Sequence, residues 1–409
     1  MKHAALAALL AATFVLAGSP RAAHADPSSS RDSVYLVGEF VDPVCLFQHG
    51  MTGVNQKQCA LVRGHVNQGV YFFDHRGRHV YAVIGMEHTD DPYARFVELL
   101  GDTVAVTGKV WSRYGGNALA ITNLWPWREQ PAATFRWWPW TWHVSTVFGC
   151  CVFLVAYLLA MTVWRRRLGG PERFPWGRAA VFFAAFLVVL GSLNGPIHDL
   201  SDEFLFSAHM TQHLLLAEIF PLLFLLGIPP WLADRLLARE RVRGAWYALA
   251  DYRVGFVLYC AVIGLWHVPV FYDLMMRAHN VHIFMHLMLM AAATIMWWPF
   301  VGTASTARRL SPPAQMLYLL VLSTPMMLVA AFLTFATRPF YEWYALAPRL
   351  WGTTALDDQH MGGLIMWIPG TFVYWGILSV IFLRWGHRRD NVPRGDDFEI
   401  PPMPAPSPE

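Results

Sequence analysis

The chain divides into two regions with different hydrophobic patterns. Between residues 143 and 384, seven apolar stretches follow one another, each of about the 20 residues that a helix needs to cross a bilayer. Between residues 34 and 125 the apolar positions instead form short alternating runs, which are typical of β-strands. The pattern predicts a small all-β domain followed by an all-α polytopic membrane bundle of seven transmembrane helices.

Five alternating runs make up the β region. They cover residues 34–37, 69–73, 79–83, 103–110 and 118–121. Turn residues separate them at Asp74–Gly77 and Tyr114–Asn117. Five short strands of this spacing favour a small closed barrel of the oligonucleotide/oligosaccharide-binding (OB) type. We expect this OB-like domain to cover residues 26–128, with a short helix at residues 90–100.

Seven helices are predicted in the second region. They are expected at residues 143–164, 176–195, 203–228, 253–272, 279–301, 315–336 and 361–384. Arginines cluster at one end of these spans, as at Arg165–Arg167, whereas the loops at the other end are acidic. By the positive-inside rule the arginine-rich ends are cytoplasmic, so the barrel is exported and the C-terminus lies inside. This predicts a multi-pass protein of the bacterial cytoplasmic (inner) membrane, with its N-terminal domain periplasmic or extracellular.

Four segments complete the predicted domain organisation. An apolar run followed by Ala23-His24-Ala25 predicts a signal peptide at residues 1–25, with an uncleaved anchor helix as the alternative. Residues 129–142, rich in tryptophan and proline, form an aromatic linker suited to lipid headgroups. The helix bundle then covers residues 143–386. Residues 387–409, with repeated prolines, are predicted to form a disordered cytoplasmic tail.

The composition supports membrane insertion and indicates which classes of partner to expect. The chain is 55% hydrophobic and only 14% charged, which is the balance of an integral membrane protein that contacts lipids. Its formal net charge of +3 is too small to indicate a nucleic-acid partner, and the arginines lie at helix ends rather than in a patch. Membrane lipids are therefore expected partners and nucleic acid is not.

Two of the five cysteines, Cys45 and Cys59, lie in the predicted exported domain. In an oxidising compartment two such residues form a disulfide by default. The nearby His49 and Met51 leave a copper-capture loop open as the alternative. The other three cysteines lie in apolar spans, where free cysteine behaves as a small hydrophobe.

Histidines are concentrated near one end of the spans, the end predicted to face outward. His209 and His213 are four residues apart, and His282 and His286 repeat that spacing, so each pair occupies one helix face. Imidazole is a good ligand for copper, zinc and iron. The candidate metal ligands are His209, His213, His282 and His286, with His198, His267, His279 and His360 as auxiliaries.

Other polar and sulfur-containing residues could support such a site. Carboxylates orient ligating imidazoles through the second ring nitrogen, a role open to Asp199, Asp202 and Asp357. Thioethers select Cu(I), and the methionines closest in sequence to the histidines are Met210, Met285 and Met361. Glu218 follows His213 by five residues and is expected on another helix face, bonded to a neighbouring helix or acting in a proton relay. The alternative for any single histidine is a hydrogen bond that links two helices.

Several motifs in order resemble the CtaG family of cytochrome c oxidase assembly factors. They are Asn194–His198, His209–His213, Trp266–Pro269, His279–His286 and Asp357–Gly363. The resemblance covers residues 140–385 and leaves out the barrel and the tail. It implies a polytopic protein that helps to build an active terminal oxidase, with oxidase subunits as partners and copper as the metal handled.

These observations predict a non-enzymatic assembly factor that receives copper on the exported side and passes it to an oxidase subunit. The exported loops contain no nucleophile triad, phosphate loop or dinucleotide fingerprint. Two alternatives stay open. Facing histidines could ligate a haem in a membrane cytochrome or oxidoreductase, and Glu218 could serve a metal or proton transporter.

Overall fold

The structure is a computed structural model that describes residues 31–63, 69–85, 91–138, 140–307 and 309–390. The predicted signal peptide at residues 1–25 lies outside the described residues, as does the predicted tail beyond Asp390. Within them, a five-stranded barrel precedes a helix bundle, which confirms the predicted fold class.

Five strands close into a barrel in the order β1-β2-β3-β5-β4. They are β1 Arg31–Val41, β2 Tyr71–Asp74, β3 Val80–Val83, β4 Thr103–Arg113 and β5 Gly116–Pro126. The β3–β5 pair is parallel, whereas β1–β2, β1–β4, β2–β3 and β4–β5 are antiparallel. Each strand overlaps a predicted run, although β1 and β5 are longer than predicted. The closed Greek-key arrangement is that of an OB-like barrel.

Alternation of side chains fills the barrel with apolar residues. In β2 and β3 every second residue is buried, as the two-residue period of a strand requires. Phe40, Phe72 and Leu119 are fully buried. A short helix, Pro92–Phe96, falls inside the segment predicted to be helical and stacks Phe96 on Phe40 with ring centroids 4.5 Å apart.

The connection between β1 and β2 contains two helices that the sequence pattern did not reveal, Pro43–His49 and Val54–Arg63. Local polar contacts rather than a long apolar face define the first helix. Asp42 accepts hydrogen bonds from the backbone N–H groups of Val44 and Cys45, and Gly50 ends the helix in the left-handed conformation.

Cys45 and Cys59 join these two helices in a disulfide. Both sulfur atoms are engaged in that bond, so neither is a thiolate ligand in this structure. Cys150, Cys151 and Cys260 are free cysteines within the helix bundle.

Most of the remaining described residues are helical. The barrel-domain helices are α1 Pro43–His49, α2 Val54–Arg63 and α3 Pro92–Phe96, so the later helices are numbered from α4. They are α4 Val144–Met161, α5 Trp176–Ser192, α6 Gly195–Glu203, α7 Phe206–Gly227, α8 Pro230–Leu236, α9 Glu240–Leu249, α10 Tyr252–His267, α11 Pro269–Arg277, α12 His279–Val301, α13 Pro312–Thr334, α14 Glu342–Ala345 and α15 Ala355–Asp390. Among the described residues, five helices are long and apolar enough to cross a membrane. The bent pairs α5–α6 and α9–α10 raise that number to seven. The chain is therefore a multi-pass membrane protein.

The second span ends earlier than predicted. Helix α5 stops at Ser192, and a new helix starts at Gly195, whose φ is +64°. A β-carbon at this glycine would lie 2.3 Å from the ring of Trp140, so the aromatic linker packs directly against the break. The glycine N–H also donates to the carbonyl oxygen of Thr141. As a result, His198, Asp199 and Asp202 lie in a separate short helix, α6.

Two further boundaries differ from the sequence pattern. The fourth span was predicted to run to residue 272 but ends at His267, because Pro269 disfavours a helical conformation at Val268. The seventh span was predicted at 361–384, whereas α15 runs from Ala355 to Asp390. Residues 387–390, expected in the disordered tail, therefore continue the helix.

The barrel rests on one end of the bundle, which we call the barrel-side end. It comprises α6, α11, α14 and the first turns of α7, α12 and α15. Arg76 of the barrel donates to the backbone of Asp202 and Glu203, and Arg78 pairs with Glu342. Helix α7 runs through the middle of the bundle and packs on α5, α12 and α15.

Candidate metal centre

The start of α7 is fixed by a side chain from α15. Asp358 accepts hydrogen bonds from the backbone N–H groups of Phe206 at 2.7 Å and Ser207 at 3.2 Å. A carboxylate at this place satisfies the free donors of a helix N-terminus. Nearby, Gly362 lets α15 approach closely, since a β-carbon there would lie 2.4 Å from the ring of Phe206. Asp358 was not among the predicted orienting carboxylates, and it positions the helix that carries His209 and His213.

Six of the eight predicted histidines meet at the barrel-side end. His209 is in the middle, with its ring centroid 5.2 Å from that of His282 and 5.8 Å from that of His286. His213 lies 5.6 Å from His286 and 6.1 Å from His267 by the same measure. His198 lies 6.2 Å from His282. All six side chains are buried.

Three of these residues have the geometry to share one ion. One ring nitrogen each from His209, His282 and His286 lies within 4.8 Å of the others. Nitrogens that bind one zinc ion at about 2.0–2.1 Å lie at most roughly 4.2 Å apart, so only small movements would bring the three together. The four predicted primary ligands thus include one compact group of three, with His213 next to it.

Hydrogen bonds fix which nitrogen of His209 carries the proton. The hydroxyl of Tyr344 donates to the carbonyl oxygen of Ser201 at 2.5 Å, so it accepts from Nδ1 of His209 at 3.2 Å. Nε2 of His209 is then an acceptor for Nε2–H of His213, 2.8 Å away. This arrangement leaves Nδ1 of His213 without its proton, and a metal bound to Nε2 of His209 would replace the hydrogen bond from His213.

Four buried ring nitrogens have no hydrogen-bond partner among the described residues. They are Nδ1 of His213 and Nε2 of His267, His282 and His286. In His267 the other nitrogen donates to the carbonyl oxygen of Ile263 at 2.7 Å, so Nε2 presents a lone pair. Leaving polar atoms unpaired in an apolar interior is costly, and a cation bound between His209, His282 and His286 would satisfy the free nitrogens of His282 and His286.

Asp202 is the predicted carboxylate that reaches the histidines. Its side-chain oxygens lie 3.3 Å from Nε2 of His198 and 3.8 Å from Nδ1 of His282. His198 also receives a hydrogen bond on Nδ1 from Gln212 at 3.1 Å. Both nitrogens of His198 are therefore engaged, which makes it a support for Asp202 rather than a free ligand. His282, by contrast, keeps Nε2 available.

The other predicted site residues lie apart from this group. His279 is exposed at the rim, and Nε2 of His360 donates to the carbonyl oxygen of Ala336 at 2.8 Å. Asp199 accepts from Thr141, and Asp357 accepts from Thr354. Asp199 thus binds the aromatic linker, and Asp357 caps the start of its own helix.

His143 is a site residue that the sequence reasoning missed. It lies next to α4, and its ring is 4.2 Å from that of His198 and 6.4 Å from that of His279. In the sequence, His143 marks the start of the first predicted span. Because it has no histidine neighbour three or four residues away, nothing in its spacing suggested a shared site.

The three methionines contribute packing rather than contacts with the histidine nitrogens. Met210 and Met285 are fully buried in the apolar core, and Met361 is 53% exposed. Glu218 was expected to bond a neighbouring helix, which the structure confirms; it lies in a π-helical turn at Leu215–Ile219 that adds a residue to the helical repeat. Its Oε1 accepts from Tyr259 at 2.9 Å and Tyr374 at 2.6 Å, which links α7 to α10 and α15.

The fold and the site define a multi-pass membrane protein with a buried histidine cluster at one end of its bundle. The chain matches the cytochrome c oxidase caa3 assembly factor family (Caa3_CtaG) over residues 155–388, more than half of its length, and it belongs to this family. The resemblance to the CtaG motifs is thereby confirmed. The match includes the cluster formed by α6, α7, α10 and α12 and leaves out the barrel.

Mycobacterial proteins are among the relatives of the chain. Uncharacterized proteins of Mycobacterium bovis and Mycobacterium tuberculosis are each 22% identical over 274 residues, which cover 63% of this chain and 41% of the relative. One of Mycobacterium leprae is 23% identical over 273 residues with the same coverage. The chain thus spans less than half the length of these relatives. No solved structure matches it significantly.

Proposed function

We propose that this protein is a non-enzymatic assembly factor that holds copper at the histidine cluster and delivers it to cytochrome c oxidase. Membership of the oxidase assembly factor family supports the assembly role. The observation that carries the metal proposal is the convergence of one ring nitrogen each from the buried His209, His282 and His286 within 4.8 Å, with Nε2 of His282 and His286 unpartnered. The oxidase subunits that receive the metal are the proposed partners.

The donor set favours Cu(I). The available ligand atoms are imidazole nitrogens, which suit copper, zinc and iron, whereas magnesium, calcium and manganese prefer oxygen. Neutral ligands leave the charge of a bound ion uncompensated, and burying uncompensated charge away from water is costly. A singly charged ion therefore fits this buried set better than a doubly charged one. Asp202 compensates part of the charge from the side of His282.

We place the barrel-side end on the exported face of the bacterial cytoplasmic membrane. Arginines at the opposite ends of the spans, such as Arg165–Arg167, support this orientation through the positive-inside rule. Copper would then be received and released outside the cytoplasm. Reporter fusions after Arg167 should be active in the cytoplasm and fusions after Arg349 outside it, and the reverse pattern would overturn the orientation.

The first test is copper binding by the purified full-length protein in detergent. We expect stoichiometric Cu(I) binding that is lost in His282→Ala/His286→Ala, because this variant removes two of the three convergent ligands. The matched control is His387→Ala, which changes an exposed histidine at the end of α15 away from the barrel. Equal binding by the double variant and wild type would contradict the proposal.

The same samples separate the alternatives. An absorption spectrum with a Soret band would indicate haem ligation and contradict a copper carrier. In cells, the double variant should reach normal abundance in the membrane while oxidase activity and oxidase copper fall. Normal oxidase activity in that strain would leave the histidines as residues that only pack the helices together.

A further inference from the structure

The barrel lies outside the part of the chain that matches the assembly factor family, yet it contacts the wall of the histidine cluster. The contact is made by the β2–β3 hairpin, whose turn carries Arg76. Besides the histidines and Asp202, which come from the bundle, the surroundings of the site therefore include a residue from the other domain.

The hairpin turn is held in one conformation by Asp74. Its carboxylate accepts hydrogen bonds from the backbone N–H of Arg76 at 3.1 Å and of Gly77 at 2.9 Å. A β-carbon at Gly77 would lie 2.5 Å from that carboxylate, so a larger residue here would push the carboxylate away from the turn. The turn is therefore pre-organised before it meets the bundle, with Arg76 at its tip.

Arg76 binds the carboxyl end of α6. Its Nη2 donates to the carbonyl oxygens of Asp202 at 3.0 Å and Glu203 at 2.7 Å. The last carbonyls of a helix have no partner within the helix and carry partial negative charge, so a guanidinium is a favourable partner for them. Burial lowers the pKa of Arg76 to about 10. The guanidinium is still charged at neutral pH, because this pKa remains well above 7.

A tryptophan completes this contact from the bundle. The guanidinium of Arg76 lies over the ring of Trp343, 4.1 Å from its centroid, and Nε1 of Trp343 donates to the same carbonyl oxygen of Asp202 at 2.8 Å. The backbone of Asp202 is thus held from two sides. Its carboxylate meanwhile lies against His198 and His282.

We propose that Arg76 is a positioning residue of the metal site, which holds Asp202 where its carboxylate orients His282. The barrel thereby sets the metal affinity of the bundle through one hairpin. This inference rests on the proposed copper site, because it assigns to Arg76 an effect on the affinity of that site. Residues that orient metal ligands change affinity by about 10- to 100-fold when they are replaced.

The hairpin offers its own control. Arg78 is two residues away and pairs with Glu342 at 3.1 Å, a carboxylate that Arg277 also binds at 2.6 Å. Arg78 is 56% exposed in its side chain, and its described partner lies in α14 rather than in α6. Arg78→Ala therefore weakens the docking of the barrel while leaving the end of α6 in contact with Arg76.

The experiment is a double-mutant cycle on Cu(I) affinity, measured with the full-length protein against a chromophoric Cu(I) chelator. We expect Arg76→Ala to weaken binding by roughly tenfold, the lower end of the range for orienting residues, and Arg78→Ala to leave it unchanged within twofold. Asp202→Asn should weaken binding at least as much. In the double variant Arg76→Ala/Asp202→Asn the two effects should not multiply, because Arg76 acts through Asp202.

Arg76→Lys separates positioning from general destabilisation. Lysine keeps a cation for the two carbonyls and loses the guanidinium stack on Trp343, so intermediate affinity is expected. Multiplicative effects in the cycle, or wild-type affinity in Arg76→Ala, would overturn the inference while leaving the copper site standing. A wild-type protein that binds no copper would instead overturn the proposed function itself.

Discussion

The interior of the barrel and the barrel-side end of the bundle bury very different residues. The barrel core consists of apolar side chains such as Phe40, Phe72 and Leu119. The barrel-side end buries six histidines together with Gln212 and, at 8% exposure, Asp273. Among the described residues of the two regions, buried imidazole nitrogens without a hydrogen-bond partner occur at the barrel-side end, on His213, His267, His282 and His286.

This contrast separates residues kept for folding from residues kept for a site. Apolar burial stabilises the barrel directly, at about 25 cal/mol for each Å² removed from water. Burying imidazoles within a membrane costs free energy unless their nitrogens are satisfied. A bundle that needed only to fold would place apolar side chains at His282 and His286. Changes in the core of the barrel should therefore affect stability, and changes at the cluster should affect binding.

The largest expected effect is on the stability of the barrel. Replacing Cys45 and Cys59 by serine removes a disulfide that closes a 14-residue separation, and the free energy of unfolding of the barrel should fall by about 3 kcal/mol. Hydrogen exchange of the barrel strands in the full-length protein measures this change. Cys151→Ser, which alters an exposed free cysteine, is the control. Copper affinity should stay the same in the cysteine variant. A loss of copper affinity would show that the loop of the barrel captures copper, so that the barrel would also contribute to metal binding.

A smaller effect is expected from Tyr344→Phe. This change removes the hydroxyl that accepts from Nδ1 of His209 and so frees the ring to change tautomer. Copper affinity should fall roughly tenfold, as for other groups that orient a ligand. Tyr318→Phe is the matched control, since its hydroxyl bonds the carbonyl of Tyr252 away from the histidines. Equal affinities in the two variants would mean that the tautomer of His209 does not matter.

The smallest effect is expected from His360→Ala. Its Nε2 bonds the carbonyl oxygen of Ala336, so the residue links α15 to the end of α13. Copper affinity should stay within twofold of wild type, while stability falls by about 1 kcal/mol through the lost hydrogen bond. Titration with a Cu(I) chelator measures the affinity, and thermal unfolding of the same variant measures the stability. A large loss of copper affinity would mean that the metal site extends to His360 on α15.

Sequence spacing identified the members of the cluster that share a helix. A separation of four residues places His209 above His213 and His282 above His286 in any α-helix, so these pairs needed no tertiary information. The π-helical turn that contains Glu218 could not be predicted from residue spacing. It depends on how α7 packs, and it changes the helical repeat that such reasoning assumes.

The roles of individual residues required the structure. The three candidate orienting aspartates have similar positions at helix ends in the sequence, yet only Asp202 reaches His198 and His282. Asp358 fixes the start of α7 instead of its neighbour Asp357, because successive helical residues point in different directions. His198 changes from candidate ligand to support once Gln212 and Asp202 are seen to engage both of its nitrogens.

The sequence by itself determined the two regions, the alternating strands of the barrel and the apolar spans, because these follow from periods of 2.0 and 3.6 residues and from the thickness of a bilayer. Only the tertiary structure decided which polar atoms meet. Arg76 and Asp202 are 126 residues apart, and their contact depends on how the barrel is seated on the bundle. No local pattern encodes such a distance, since it results from packing between domains that each fold around their own apolar core.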